Sequence, residues 1–267
     1  MGYNKEPINW GKFKIRCSSL SVLFTEPRAA ADKKAGNLSE TAKKHLYKVY
    51  IREKWGREKD ISTVAMKKGT IVEGDIIEIL SFLDETKYVK NHERKENEWI
   101  QGCPDIVAGH IDDAKGAWDA EAFAPHIMDQ LSDENFYQMQ GYLWLFNRPK
   151  GKVSRALVNC PDFLLKNELR RLMFNMDVAT DENPEYKAAA LELIGQLTYD
   201  DIPLEERIIR KEVIRDDEII AQIPAKVQKA REFLMEMERT HKSYNPKGAQ
   251  PKPPVDLSAI SLIKIKK

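Results

Sequence analysis

Two spacings of apolar residues alternate along the chain. Over 38–55 and 68–80 they recur three and four apart, which predicts amphipathic helices; in the second, Glu73 shares a stripe with Ile76, Ile77 and Leu80, whereas Glu78 lies nearly half a turn away and faces solvent. A shorter helical stretch is expected over 20–24. Residues 88–115 are strand-rich around a charged loop at 91–98, 153–158 read as a further strand, and 207–214 alternate as an edge strand does. Helices are expected over 136–146, 163–176, 186–197 and 217–240, the last offering Ile220, Ile223, Val227, Phe233 and Leu234 for burial. Ser132 is positioned to cap the first of these, which Asn147, Pro149 and Gly151 end. Strands interleaved with helices predict an α/β fold, a central mixed β-sheet flanked by helices, in a single domain over 1–244. Pro246, Gly248, Pro251, Pro253 and Pro254 mark 245–267 as a flexible Pro- and Lys-rich tail.

The strand-rich region holds the candidate chemistry. Residues 102–115 read Gly-Cys-Pro-Asp-Ile-Val-Ala-Gly-His-Ile-Asp-Asp-Ala-Lys, a hairpin with β-formers Ile106, Val107 and Ile111 around a turn at Gly109 and His110. Side chains two apart on a strand emerge on one face, so Asp113 and Lys115 converge. A two-residue loop would set Asp105 opposite Ala114. Bringing Asp105 and Asp113 to one face instead requires an odd loop, such as Ala108 to His110, or a bulge. Carboxylates are the oxygen ligands that Mg²⁺ prefers, and a lysine beside them can orient a water or offset charge on a phosphate under attack. The pattern points to metal-dependent phosphodiester hydrolysis.

Two carboxylates rarely hold such ions alone. Glu73 is the candidate third, because a glutamate on an apolar stripe is costly unless paired or coordinated; the alternative is a rim residue snorkelling beside the stripe. On the 136–146 helix Gln138 and Tyr142 share a face at i, i+4, where an amide can bond the lysine or a metal-bound water and a hydroxyl can reach a phosphate. Near the N-terminus, Arg16 with Ser18 and Ser19 suits phosphate, though either serine could instead cap a helix starting near Leu20.

Charge alters the picture by its distribution. The net charge is +1, but residues 1–68 hold 16 Lys and Arg against 7 Asp and Glu, so the N-terminal third is a candidate phosphate-tracking surface. Lys43, Lys44, Lys48, Arg52 and Lys54 fall in one amphipathic segment and could equally be a solvated helix face. No stretch approaches a membrane span, no N-terminal signal region is evident, and three widely spaced cysteines fit a reducing cytoplasm rather than a disulfide or zinc framework.

In order, a helical Glu, a Gly-X-Pro-Asp strand, an Asp-X-Lys strand and a Gln-X-X-X-Tyr helix resemble the PD-(D/E)XK nuclease superfamily, and within it the RecB-like and lambda-exonuclease-like (YqaJ-type viral recombinase) phage exonucleases. Residues 115–123, Lys-Gly-Ala-Trp-Asp-Ala-Glu-Ala-Phe, are similar to the stretch that follows the lysine in many phage members. The resemblance implies a restriction-endonuclease-like core, with Glu73, Asp105, Asp113 and the Ala114 carbonyl as Mg²⁺ ligands (Mn²⁺ as its substitute), Lys115 as catalytic lysine, and Gln138 and Tyr142 as accessory pair. Arg16, Ser18 and Ser19 match the segment that binds a terminal 5′-phosphate. Asp112 departs from the aliphatic residue usual before the acid and leaves Asp112 as an alternative ligand, although the spacing to Lys115 favours Asp113. With three cysteines, Cys17, Cys103 and Cys160, the four-cysteine iron–sulfur cluster of some RecB-like members is not expected. Also implied are 5′ to 3′ digestion of linear duplex DNA in a bacterial host's cytoplasm, 3′ tails for a single-strand annealing protein, and a homotrimer. A restriction-like endonuclease and an inactive DNA-binding recombination scaffold are the alternatives.

Overall fold

The computed structural model describes residues 6–59 and 62–244. The tail expected over 245–267 lies outside them. A 3-10 turn at Trp10–Lys12 precedes strand β1 (Ile15–Arg16) and a 3-10 helix, Cys17–Leu23. Helices α1 (Ala30–Ala35), α2 (Glu40–Trp55), α3 (Val64–Ile71) and α4 (Glu73–Leu83) follow, then strands β2 (Lys95–Glu96), β3 (Ile100–Gly102), β4 (Ile106–Val107) and β5 (Ile111–Gly116). Short α5 (Ala120–Phe123) and α6 (Pro125–Met128) lead to α7 (Asp133–Leu145) and β6 (Lys150–Ala156). The chain ends with α8 (Asp162–Asn175), α9 (Pro184–Leu197), a 3-10 turn at Leu204–Arg207, β7 (Ile208–Ile214) and α10 (Asp217–Tyr244).

The mixed sheet is present in two pieces, β1-β3-β2 and β4-β5-β6-β7, flanked by helices. β5 and β6 run parallel through a crossover that contains α7, while β4–β5 and β6–β7 are antiparallel, with β7 at the edge as its alternation predicts. Period-two patterning gives the second piece two apolar faces. Ile111, Val153 and Val213 join Met139 and Leu143 of α7 in the larger core, whereas Ile106, Ala114 and Ala156 pack under Ile76, Ile77 and Leu80 of α4. Each such fully buried Ile, Leu or Val contributes roughly 1.5–3 kcal/mol of transfer free energy.

The helix expected over 68–80 is broken. Val72 closes α3 and opens α4 with φ −82° and ψ 2°. Thr70, Ile71 and Val72 are three consecutive β-branched residues between Gly69 and Gly74, the weakest helix-forming stretch of the segment. Glu73 therefore begins a helix rather than sitting inside one, while Ile76, Ile77 and Leu80 keep their buried stripe and Glu78 is exposed as expected.

Sequence patterning gave no sign of Lys68, which is fully buried. Its ammonium donates to the Trp118 carbonyl at 2.8 Å and lies 5.7 Å from the ring centres of both Trp118 and Tyr199. Burial lowers its pKa to about 8. The unfolded chain binds this proton up to its ordinary value of 10.5, so the burial cost is full below pH 8 and fades as pH rises from 8 to 10.5. The stability difference between Lys68→Met and wild type, followed by denaturant unfolding, should therefore move in favour of wild type by up to about 3 kcal/mol between pH 7 and 10.5. A difference that does not change with pH would contradict the buried ammonium.

Candidate active site

The β4–β5 hairpin supplies the centre. Val107 pairs with Ile111 and Ile106 with Asp112, leaving the odd loop Ala108 to His110. Continued by one residue, this register sets Asp105 opposite Asp113, and Asp105 Oδ2 accepts the Ala114 N–H at 2.7 Å. Lys115 Nζ stands 2.6 Å from Asp113 Oδ2. That contact is a close ion pair, with the Asp113 carboxylate buried. From α7, Gln138 donates its Nε2 both to Asp113 Oδ1 at 3.1 Å and to the Tyr142 hydroxyl at 3.0 Å. Ser132 caps this helix as expected, its side chain accepting from the Asn135 amide.

Glu73, the first residue of α4, lies within hydrogen-bonding reach of Asp105 and pairs with Lys90 at 3.0 Å. Burial, the Asp113 charge and Glu73 together push the Asp105 carboxyl up to about 9. Lys115 goes the other way from the usual buried lysine: desolvation works to lower its pKa, but Asp113 and Asp105 outweigh it and hold the ammonium charged above its ordinary range. Tyr142 is raised by burial and by Asp113, so it is a neutral hydrogen-bonding phenol at physiological pH.

Asp112 is turned to the other face. Ser154 of β6 donates to its Oδ2 at 2.8 Å, His110 Nε2 lies 4.0 Å away, and burial raises its pKa to about 7. Of the two adjacent acids, Asp113 is the one placed with Asp105, Glu73 and Lys115.

The carboxylates converge without closing into a cage: among the described residues no three His, Cys, Asp or Glu side chains form a ready-made metal cluster. Lys115 and Lys90 supply the positive charge at Asp113 and Glu73 instead. The residues nevertheless fit Mg²⁺. The set is all oxygen, and its carboxylates sit close enough that Asp113 and Glu73 add to burial in raising the Asp105 pKa.

Arg16, Ser18 and Ser19 line a cavity of about 580 Å³ together with His45, Lys48 and Arg52. The 3-10 helix starts at Cys17 with no side-chain cap, so neither serine serves as one. His45, Lys48 and Arg52 recur at i, i+3, i+7 on α2, so Lys48 and Arg52 of the basic segment face this cavity and His45 joins them. Arg16 pairs in register with Gln101 of β3, which runs on to Asp105. Close approach joins this cavity to the centre: a Cβ on Gly102 would meet the Tyr142 ring at 2.6 Å and Cys17 Sγ at 2.7 Å, and one on Gly141 would meet Cys17 Sγ at 2.8 Å. Two glycines thus let α7 and the Cys17–Leu23 turn press against β3.

No family model and no curated protein matches the sequence. Solved structures do match in fold. A phage-related exonuclease from Haemophilus somnus 129PT superposes with a TM-score of 0.67 at 24% identity, over 86% of this chain and 97% of that one. The alkaline exonuclease LHK-Exo from Laribacter hongkongensis gives 0.56 at 14% identity, over 89% and 95%; its complex with dAMP gives 0.54 at 15%, over 87% and 93%. The chain has the fold of phage-type exonucleases. Among the described residues no helix is long and apolar enough to cross a membrane.

Proposed function

We propose that the chain is a Mg²⁺-dependent deoxyribonuclease that degrades linear duplex DNA from an end, 5′ to 3′, and leaves 3′ single-stranded tails for phage-type recombination in a bacterial cytoplasm. The observation that carries this reading is the Asp113–Lys115 pair on one strand, beside an Asp105 whose pKa is displaced to about 9. Glu73, Asp105, Asp113 and the Ala114 carbonyl would hold the metal, with Mn²⁺ as substitute; when bound it supplies a more acidic water and charge stabilisation at the phosphate. Lys115 keeps its proton and presents an ammonium to the attacking water and to the negative charge growing on the phosphate. Gln138 fixes the Asp113 carboxylate and orients the Tyr142 hydroxyl, which is available as a donor to a phosphate oxygen. An annealing protein as partner and a homotrimer as assembly belong to the same reading.

Arg16, Ser18 and Ser19, with His45, Lys48 and Arg52, would receive the terminal 5′-phosphate, since a dianion gains charge-assisted bonds that a hydroxyl cannot make. Duplexes that differ only in that phosphate and are labelled separately at each end provide the test. Wild type should prefer the phosphorylated end and release label from the 5′ terminus first, and Arg16→Ala should erase the preference while retaining metal-dependent cleavage. Indifference of the wild type to the phosphate would remove the pocket.

A further inference from the structure

The face of the sheet that carries Asp113 and Lys115 continues onto β6, where Arg155 stands in register with Lys115, and onto β7, where Ile209 is in register with Arg155. Paired residues of adjoining strands share a face and lie about 5 Å apart. Arg155 is thus the immediate lateral neighbour of the proposed catalytic lysine, on the side away from β4. It is half-buried, and among the described residues no hydrogen bond or ion pair holds its guanidinium. Burial alone lowers its pKa, with no carboxylate offsetting it. A desolvated cation without a counter-charge costs free energy that an arriving anion would recover.

A cavity of about 340 Å³ opens over this residue. Its walls include His126, Lys211, Ser132, Asn135 and Asp129. Lys211 donates to the Asp129 main-chain carbonyl at 2.5 Å, which holds the ammonium at the rim. Two permanent cations therefore face one carboxylate, and a hydroxyl and an amide stand ready as further donors. Ser132 caps α7 and Asn135 lies in its first turn, and Gln138 of the same helix contacts Asp113, so the cavity and the catalytic centre share one helix.

We propose that this cavity is a second anion subsite in which Arg155 takes a nucleotide phosphate: a backbone phosphate of the bound strand, or the 5′-phosphate of a released mononucleotide. It rests on the nuclease reading. Guanidinium suits this task because its planar fork grips two phosphate oxygens at once.

The test compares wild type, Arg155→Gln and Arg155→Lys in binding a labelled linear duplex across a salt series, and in binding dAMP by calorimetry, all without divalent metal so that no cleavage occurs. For a backbone phosphate, Arg155→Gln should weaken duplex binding about tenfold and lower the log–log salt slope by about 0.9, with Arg155→Lys recovering most of the loss. For a released nucleotide, duplex binding should be unchanged and dAMP binding should fall about tenfold instead. A folded Arg155→Gln that matches wild type for both ligands would overturn the subsite while leaving the nuclease reading in place. A wild type that binds neither DNA nor dAMP, and that also leaves linear duplex uncut once Mg²⁺ is supplied, would overturn both. Should Arg155→Gln fail to fold, wild-type protein gives the answer: saturating duplex or dAMP should slow phenylglyoxal modification of Arg155 severalfold, and unslowed modification would overturn the proposal.

Discussion

Asp113→Asn is expected to reduce Mg²⁺-dependent degradation of linear duplex DNA by roughly a thousandfold or more, whereas Asp112→Asn should leave the rate close to wild type. The two residues are adjacent, yet alternation along β5 turns one toward Lys115 and Gln138 and the other toward Ser154. Loss of the Asp113 charge removes the partner that holds Lys115 charged, while the amide oxygen can still accept from Gln138. That loss also relieves Asp105. A carboxyl whose folded pKa of about 9 lies above its ordinary 3.8 weakens the fold progressively as pH rises through that window, and Asp113 is a principal cause after burial. Metal-free Asp113→Asn should therefore melt no lower than wild type at pH 8, by calorimetry, even as turnover collapses. Equal losses in Asp112→Asn and Asp113→Asn would point to a general dependence on the hairpin rather than to a ligand.

Lys115→Ala should lose turnover by several orders of magnitude and still bind duplex in Ca²⁺ with little change, because the ammonium acts on charge that develops only during the reaction. Parallel losses in binding and turnover would make Lys115 a phosphate anchor only.

The hairpin was legible because its logic is local. Period two places Asp113 and Lys115 together, and the wish to bring Asp105 alongside demands an odd loop, which the structure supplies at Ala108 to His110. Gln138 and Tyr142 were readable as an i, i+4 pair, but their shared bond, and its extension to Asp113, depends on the close packing that Gly102 and Gly141 permit. What the sequence hid was long-range. Arg155 looks like any outward arginine on an alternating strand until the parallel pairing of β5 with β6 sets it beside Lys115. Lys90 on Glu73 and the buried Lys68 likewise depend on partners far along the chain. The break at Val72 falls in a β-branched run whose weak helix propensity is a local signal, masked by the apolar periodicity that continues across it.

The central claim is metal-dependent hydrolysis that starts from a DNA end. The most direct measurement incubates purified protein with a mixture of linear duplex and covalently closed circular duplex of the same sequence, in Mg²⁺ and in EDTA, with Asp113→Asn alongside. Wild type in Mg²⁺ should consume the linear molecule progressively and leave the circle intact, both molecules should survive in EDTA, and Asp113→Asn should be inert throughout. Cutting of the closed circle would identify an endonuclease, and an unaltered linear duplex in Mg²⁺ would contradict a nuclease altogether.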